Sequence, residues 1–402
     1  MDSGNTAWVL MSAALVLFMT PGLAFFYGGM VRSKNMLGML MQNIFAMGII
    51  STLFAIVGFT LIFGETDSGW IGNFDFFLLN NVERLDGDIP GMALVAFQMM
   101  FAVITPALIT GATADRLKFG AYALFIAIWS IVVYVPAAKW VWNGWLLERG
   151  ALDFAGGTAI HINAGVAALA VILVIGNRKG HGREPMAPHN LPLTVLGTGI
   201  LWFGWIGFNA GSALAANGQA AQAVVNTHLA AATGMLGWLL IERVKTGHAT
   251  ALGACSGAVA GLVAITPCAG FVGGASPLII GAIAGVLCYL ALSIKAKMNW
   301  DDSLDVIAVH LVGGIVGTLL LGFFADGAIY GAEDGEAGLF YGGGIELFLE
   351  QLLGAVFVGG FSFIATYIIA KAIHSTMGLR VDEDDENKGL DQSQHAESAY
   401  TS

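Results

Sequence analysis

Charged residues are what this sequence has least of. Only 11% of its 402 residues are Asp, Glu, Lys or Arg, whereas 56% are hydrophobic. Soluble domains carry about 25% charged residues, and one soluble core could not bury so many apolar side chains. The composition therefore excludes a soluble globular protein and predicts an integral membrane protein. The net charge of -11 comes mainly from acidic loops and the tail, and it gives no reason to expect nucleic-acid binding.

Cysteine is nearly absent as well. Cys255, Cys268 and Cys288 lie in or beside apolar segments, and their odd number and unpaired spacing argue against a disulfide framework or a metal site. The sequence also lacks a nucleophile elbow and a phosphate-binding glycine loop. We therefore expect neither an enzyme nor a bound cofactor.

Long apolar segments fill almost the whole chain. Segments of about 20 apolar residues can cross about 30 Å of hydrocarbon as a helix. We identify eleven, near residues 7–30, 36–63, 91–113, 119–138, 158–176, 191–213, 222–241, 249–267, 273–294, 303–325 and 345–373. The predicted fold is an all-α polytopic membrane protein with about eleven transmembrane helices.

Basic residues are distributed unevenly between these segments. When the gaps are numbered alternately, 14 of the 17 basic residues fall on one side, and only Arg84, Lys139 and Arg149 fall on the other. Basic loops are retained in the cytoplasm. We therefore expect a multi-pass protein of the cell (inner) membrane with its N-terminus outside and its C-terminus in the cytoplasm.

Two histidines occupy equivalent places in the fifth and tenth segments. His161 follows Asp153 by eight residues, and His310 follows Asp302 by eight. Because five crossings reverse the chain direction, segments 1–5 and 6–10 are expected to form an inverted repeat, with the eleventh as an extra C-terminal helix. Eight helical residues rise about 12 Å. Both imidazoles therefore approach the midplane, where each is the expected partner of the other.

Aromatic residues mark one end of the same helices. Phe97 and Phe101 share one helix face, Phe208 and Ser212 share another, and Trp142 lies in the loop before the fifth segment. Aromatic faces with a hydroxyl attract a small cation. The same residues could instead pack in the core or anchor the chain at the membrane interface, so the cation site is a hypothesis on periodicity alone.

The chain changes character after its last apolar segment. We divide it into a transmembrane transporter or channel domain, 1–373, and a polar, acidic cytoplasmic regulatory tail, 374–402. Composition predicts that this tail is flexible. An ordered docking segment is the alternative.

Seven short motifs carry a family resemblance. In chain order they are LDFAGGTAIHIN, APHNLP, IGFNAGSA, GACSGAVAGLVAITP, GLRV, GLD and AY. They resemble the ammonium transporter family (Amt/Mep, related to Rh proteins), particularly its bacterial members, over essentially the whole chain. The resemblance implies an eleven-helix fold with a pseudo-twofold repeat, a homotrimer, and one narrow pore through each subunit.

The resemblance also implies roles for individual residues. The external ammonium site would be formed by Phe101, Trp142 and Ser212, with Phe97 nearby. In this sequence the Trp142 loop reads VWNGW, so Trp145 could replace or assist Trp142.

Deeper in the membrane, Phe101 and Phe208 would be two stacked gating rings, and His161 and His310 would be the paired pore histidines. Asp153 would support the site indirectly, by capping a helix and biasing the entrance towards cations. His228, which is unusual in its segment, is expected to serve helix packing.

The implied function is ammonium transport. Ammonium, with methylammonium as a candidate analogue, would be recruited at the outer aromatic site and deprotonated, and ammonia would pass the histidines. The alternatives are a passive ammonia gas channel, a channel for urea or water, and an ammonium sensor acting through a partner protein. The tail resembles a docking segment for a PII-type regulatory protein, which would link the chain to nitrogen metabolism.

Overall fold

The computed structural model describes residues 1–85, 87–331 and 337–400. Over these residues the chain is helical apart from turns and loops, and its only β pairing is one antiparallel bridge between Leu117 and Arg380. Ten helices of the described part are long and apolar enough to cross a membrane. The predicted all-α polytopic fold is confirmed.

The eleven predicted segments correspond to eleven helices. They are α1 (Ser3–Met30), α2 (Ser33–Phe63), α3 (Gly91–Thr113), α4 (Phe119–Glu148), α5 (Gly157–Ile175), α6 (Leu191–Gly211), α7 (Gly218–Thr246), α8 (Ala251–Ile265), α9 (Ser276–Lys297), α10 (Ile307–Phe324) and α11 (Glu346–Thr376). Helices α1 to α5 and α6 to α10 form the two halves of the inverted repeat, and α11 follows them.

Helix α8 is the short member of this set. Its 15 residues rise about 22 Å, which is less than the hydrocarbon thickness. Pro267 follows the helix and has no N–H to continue it, and its carbonyl accepts a hydrogen bond from the N–H of Phe154 at 3.1 Å. Thr266 and Cys268 beside it are fully buried. The irregular backbone is therefore enclosed by protein, as the membrane requires.

Glycines allow the helices to approach closely. On α6, a Cβ added at Gly204 would lie 2.7 Å from the carbonyl oxygen of Leu15 on α1. On α8, a Cβ at Gly261 would collide with the carbonyl oxygen of Ala230 on α7. Small residues supply the close packing that the hydrophobic effect cannot provide between helices in lipid.

The two ends of the bundle differ in chemistry. We call the end formed by loops 114–118, 176–190 and 298–306 together with the tail the tail end, and the end formed by residues 64–85, 87–90 and 149–156 the Trp142 end. The tail end contains buried ion pairs, whereas aromatic rings dominate the Trp142 end.

Arg116 is the centre of the tail end and is fully buried. Its guanidinium donates to the carbonyl oxygens of Gly176 at 2.8 Å and Asp301 at 2.6 Å, and to Ser303 Oγ at 2.8 Å. Burial lowers the pKa of Arg116 to about 10, so the group stays charged at neutral pH. Burial alone would raise the pKa of Asp301, but hydrogen bonds from Arg178 and the charge of Arg116 hold it below its usual range.

The tail folds onto this end as two short helices, α12 (Glu383–Lys388) and α13 (Leu390–His395). The expectation of a flexible tail is therefore wrong for residues 374–400, and the ordered alternative describes them. Residues 401–402 lie outside the described part, and the domain division at residue 373 stays a prediction.

Buried acidic side chains hold the tail in place. Glu386 and Asp391 are each 2% exposed. Asp391 Oδ1 accepts the N–H of Gly38 at 2.8 Å, and the Lys34 ammonium donates to the carbonyl oxygen of Glu386 at 2.9 Å. Composition predicts disorder here because the segment is rich in acidic residues. That prediction does not account for acidic side chains that become buried and paired, as Glu386 and Asp391 do.

We expect Arg116→Met to lower the free energy of unfolding by about 3–5 kcal/mol, because it leaves the buried Asp301 carboxylate without one of its charge partners. Thermal unfolding of the purified protein in detergent measures this. Arg183→Met is the control, since Arg183 is exposed. Equal melting temperatures for the two variants would contradict the assignment.

Candidate functional site

His161 and His310 lie in matching local structures. Each histidine belongs to a π-helical stretch that opens a membrane helix, Gly157–Ile162 in α5 and Ile307–Leu311 in α10. Such widened turns are rare and often mark functional sites. The two residues are only 1% and 2% exposed. Apolar periodicity carries no signal for a π turn, so sequence analysis did not anticipate it.

An aspartate caps each of these stretches. The Asp153 carboxylate accepts four backbone N–H groups at 2.7 to 3.1 Å, from Gly156, Gly157, Thr158 and Ala159. Burial raises the pKa of Asp153, and these four hydrogen bonds oppose the rise. The carboxylate therefore stabilises free amides at the helix start, whereas its influence on a cation stays a prediction.

Asp302 caps the second stretch in the same way. Its two carboxylate oxygens accept the N–H groups of Val306 at 3.1 Å and Ile307 at 2.7 Å. Burial and the nearby charge of Asp305 raise the pKa of Asp302 to about 6, against the opposing charge of Lys295. The equal spacing in the sequence thus corresponds to two equivalent caps.

The two imidazoles are in direct contact. Their Nδ1 atoms are 3.2 Å apart, and the ring planes are inclined by 22° with centroids 5.3 Å apart. A hydrogen bond between two ring nitrogens requires one donor and one acceptor. The pair therefore shares a single proton between His161 and His310 when both rings are neutral.

A narrow cavity adjoins the histidine pair. Its volume is about 10 Å³, about the room that one water molecule needs. Besides the two histidines, its lining consists of Met19, Leu23, Phe26, Ile104, Leu108, Ile160, Leu201, Trp205, Phe208 and Val259. Such a lining has room for a small neutral molecule but cannot replace the hydration shell of a cation.

Two phenylalanine rings separate this cavity from the Trp142 end. Phe101 and Phe208 have centroids 4.4 Å apart and planes inclined by 32°, and each is 1% exposed. Phe208 also lies over His161, with a centroid distance of 6.1 Å and an angle of 25°. The two rings therefore lie between the histidine pair and Trp142, and their role as a gate stays a prediction.

The aromatic residues of the predicted cation site lie close together at the Trp142 end. The Phe101 ring contacts Phe97 at 4.8 Å and Trp142 at 5.9 Å, both in edge-on geometry. The Trp142 indole N–H donates to the carbonyl oxygen of Asp153 at 3.1 Å. Ser212 donates its hydroxyl to the carbonyl of Phe208 at 2.9 Å, which leaves its oxygen lone pairs for another donor.

Trp145 belongs to a different cluster. Its ring stacks on Trp70 at 5.5 Å and meets Phe357 edge-on at 4.9 Å. Among the ring contacts of the described residues, only Trp142 of the two tryptophans reaches Phe101. Of the two tryptophans, Trp142 is therefore the one that contacts a residue of the predicted cation site.

His228 also lies away from the histidine pair. It is exposed on the outer face of α7, and its ring contacts Trp202 on α6 with a centroid distance of 5.4 Å.

The described residues contain no group of three or more His, Cys, Asp or Glu that could hold a metal ion.

One aromatic residue at the histidine pair was not predicted from the sequence. Trp205 stacks on His161 with a centroid distance of 5.5 Å and an angle of 21°. Its indole N–H donates to Thr266 Oγ1 at 2.9 Å, which fixes the ring. Its position three residues before Phe208 could have indicated this contact, because residues three apart share a helix face.

Comparisons with known proteins match this architecture. The model of the Ammonium Transporter Family matches residues 7–400. An ammonium transporter of Mycobacterium tuberculosis (strain ATCC 25618 / H37Rv) is 50% identical over 431 residues, covering 99% of this chain and 90% of the relative.

Solved structures agree over most of the chain. The crystal structure of Mep2 from Candida albicans has a TM-score of 0.90 and 36% identity, covering 96% of this chain and 87% of that chain. A structure described as a sensor Amt protein has a TM-score of 0.91 and 31% identity, covering 98% of each chain. The chain thus belongs to the ammonium transporter family.

Proposed function

We propose that this chain transports ammonium by binding the cation at the Trp142 end, removing one proton, and passing neutral ammonia along the histidine pair. The contact between the Nδ1 atoms of His161 and His310 beside an apolar cavity is the observation that carries the proposal. Ammonia needs few polar partners, whereas a bare cation at this depth would cost several kcal/mol.

Binding of the cation is assigned to Phe97, Phe101, Trp142 and Ser212. The Phe101 ring contacts both Phe97 and Trp142, and each contact of a cation with an aromatic face contributes about 0.5–2 kcal/mol. The Ser212 hydroxyl oxygen can accept one hydrogen bond from ammonium. Asp153 acts indirectly, since its carboxylate is occupied by backbone N–H groups and its negative charge favours a nearby cation.

Selection against potassium follows from chemistry that potassium lacks. Ammonium donates hydrogen bonds and can lose a proton, whereas potassium keeps its charge at the entrance to the apolar cavity. The stacked rings of Phe101 and Phe208 act as a gate that opens only transiently. A cation that cannot become neutral is therefore stopped before the histidines.

The released proton has two alternative fates. If the histidine pair relays it, transport is electrogenic, because one positive charge crosses with each ammonia. If the proton returns to the side of entry, the protein is a passive ammonia channel. The direct hydrogen bond between the two rings favours the relay, since a shared proton is ready for transfer.

In the cell we propose a homotrimer in the cell membrane, with the Trp142 end outside and the tail end in the cytoplasm. The distribution of the basic residues supports this orientation, because 14 of the 17 fall on the side of the tail end and basic loops are retained in the cytoplasm. Sensing through a partner protein is the second candidate function. The likeness to a sensor Amt protein and the ordered tail favour it.

We expect His161→Ala and His310→Ala each to reduce ammonium-induced current on a solid-supported membrane by about tenfold or more, because the proton relay is lost. His228→Ala is the control, since that histidine lies on the outer face of α7. Unchanged currents and unchanged potassium exclusion in both pore variants would reject the relay.

We expect Trp142→Leu to raise the ammonium concentration for half-maximal current by about threefold to thirtyfold, which corresponds to the loss of one cation–π contact. Trp145→Leu should leave this concentration unchanged, because Trp145 packs against Trp70 and Phe357 instead. A larger effect at Trp145 would place the cation site elsewhere.

We expect a PII-type protein to co-purify with the full chain in a manner that depends on nucleotide and 2-oxoglutarate. The partner would dock at the tail end, where buried acidic residues already order the tail. Pull-down that does not respond to either small molecule would count against this regulation.

A further inference from the structure

Gln351 on α11 is a buried amide whose hydrogen bonds all go to backbone groups of other elements. It is 1% exposed. Its Oε1 accepts the N–H of Leu152 at 2.7 Å, and its Nε2 donates to the carbonyl oxygen of Leu152 at 2.7 Å and to that of Thr318 at 3.3 Å. A buried amide is costly unless its groups are paired, and here both ends are paired.

These hydrogen bonds hold Leu152 from two sides. A side-chain amide that bonds both the N–H and the C=O of one residue fixes the position and the orientation of that residue, as a neighbouring strand would. Leu152 precedes Asp153 in the chain. Gln351 therefore restrains the peptide that leads directly into the aspartate cap.

Asp153 in turn holds the indole of the cation site. Its carboxylate is tied to the start of α5, while its carbonyl oxygen accepts the Trp142 indole N–H at 3.1 Å. The indole then meets Phe101 at an angle of 88°. The orientation of Trp142 thus depends on a short backbone segment that is anchored by the amides of α5, by the side chain of Gln351 and by the hydrogen bond from the Phe154 N–H to Pro267.

We propose that Gln351 is a positioning residue for the cation site: it acts on ammonium recognition through Leu152, Asp153 and Trp142 without touching the substrate. This inference rests on the proposed function, because it takes the Trp142 site to be where ammonium binds. A small cavity of about 10 Å³ shared by Gln351, Asp153 and Thr158 leaves the segment room to shift when the amide is removed.

The other half of the repeat is held differently. There the carbonyl oxygen of Asp302, equivalent to Asp153, accepts a hydrogen bond from the Lys295 ammonium at 2.9 Å, and Lys295 also contacts Asp305. Because α11 lies outside the repeat, its amide bonds both the N–H and the C=O of Leu152 in one half, whereas in the other half it donates only to the carbonyl oxygen of Thr318. The two hydrogen bonds between Gln351 and Leu152 therefore restrain the backbone at the Trp142 end.

Helix α11 also offers a matched control. Ser362 is fully buried and donates its hydroxyl to the carbonyl oxygen of Asn163 at 3.0 Å. It ties α11 to α5 about three turns away from Gln351, which bonds the loop before α5 and Thr318 on α10. Ser362→Ala removes a buried hydrogen bond between these helices without touching the segment that holds Trp142.

The experiment measures ammonium-induced current against concentration for Gln351→Met, Ser362→Ala, Trp142→Leu and the Gln351→Met/Trp142→Leu double variant. We expect Gln351→Met to raise the half-maximal concentration by about threefold to tenfold with a maximal current within about twofold of the unmodified protein. Ser362→Ala should change neither quantity.

The double variant separates positioning from general destabilisation. If Gln351 acts through Trp142, adding Gln351→Met to Trp142→Leu should raise the half-maximal concentration by less than about twofold, since coupled residues are not additive. Full additivity, or an equal rise in Ser362→Ala, would overturn the proposal.

The outcomes also distinguish this inference from the proposed function. If Trp142→Leu leaves the half-maximal concentration unchanged, the assignment of the cation site to Trp142 is wrong. If Trp142→Leu raises it and Gln351→Met does not, only the role of Gln351 is wrong. If Gln351→Met does not reach the membrane, Gln351→Asn takes its place, because the shorter side chain cannot reach both the N–H and the C=O of Leu152. An unchanged half-maximal concentration in Gln351→Asn would then overturn the positioning role of Gln351.

Discussion

The hydrogen bond between the Nδ1 atoms of His161 and His310 is the interaction on which the rest of the arrangement depends. Two imidazoles buried at bilayer depth are costly unless they are paired, and they can pair only if two helices from different halves of the chain meet at the correct height and rotation. The π turns, the two aspartate caps and the stacked Trp205 ring all serve to hold these rings together.

The inverted repeat explains why the pair is possible, and departures from the repeat explain why the two ends differ. Asp153 and Asp302 cap equivalent stretches, but their carbonyl oxygens accept hydrogen bonds from an indole in one half and an ammonium in the other. An indole leaves an aromatic face near Phe101, whereas the Lys295 ammonium places a positive charge beside its aspartates. These differences support the proposal that a cation binds near the Trp142 end, where Gln351 on α11 holds Leu152.

Much of the fold could be predicted from the sequence because membrane crossing imposes a local requirement. Each apolar segment had to be a helix long enough for the hydrocarbon, and ten helices of the described part meet it. The equal Asp-to-His spacing similarly pointed to two equivalent helix starts. Predictions failed where partners were distant in the sequence. The acidic tail was predicted to be flexible, but Asp391 accepts a hydrogen bond from the backbone of Gly38. Gln351 and Leu152 are 199 residues apart, and nothing in the sequence near either residue indicates their contact.

The sequence by itself determined the all-α membrane fold, the eleven helical segments and the family resemblance, because these follow from local composition, helix length and short motifs. Only the tertiary structure decided that the two histidine rings touch through Nδ1, that Trp142 and not Trp145 contacts Phe101, and that the tail folds onto the bundle. Those outcomes depend on how closely helices approach and how far a π turn rotates a side chain. Both are properties of packing between distant segments, and a single stretch of sequence does not contain them.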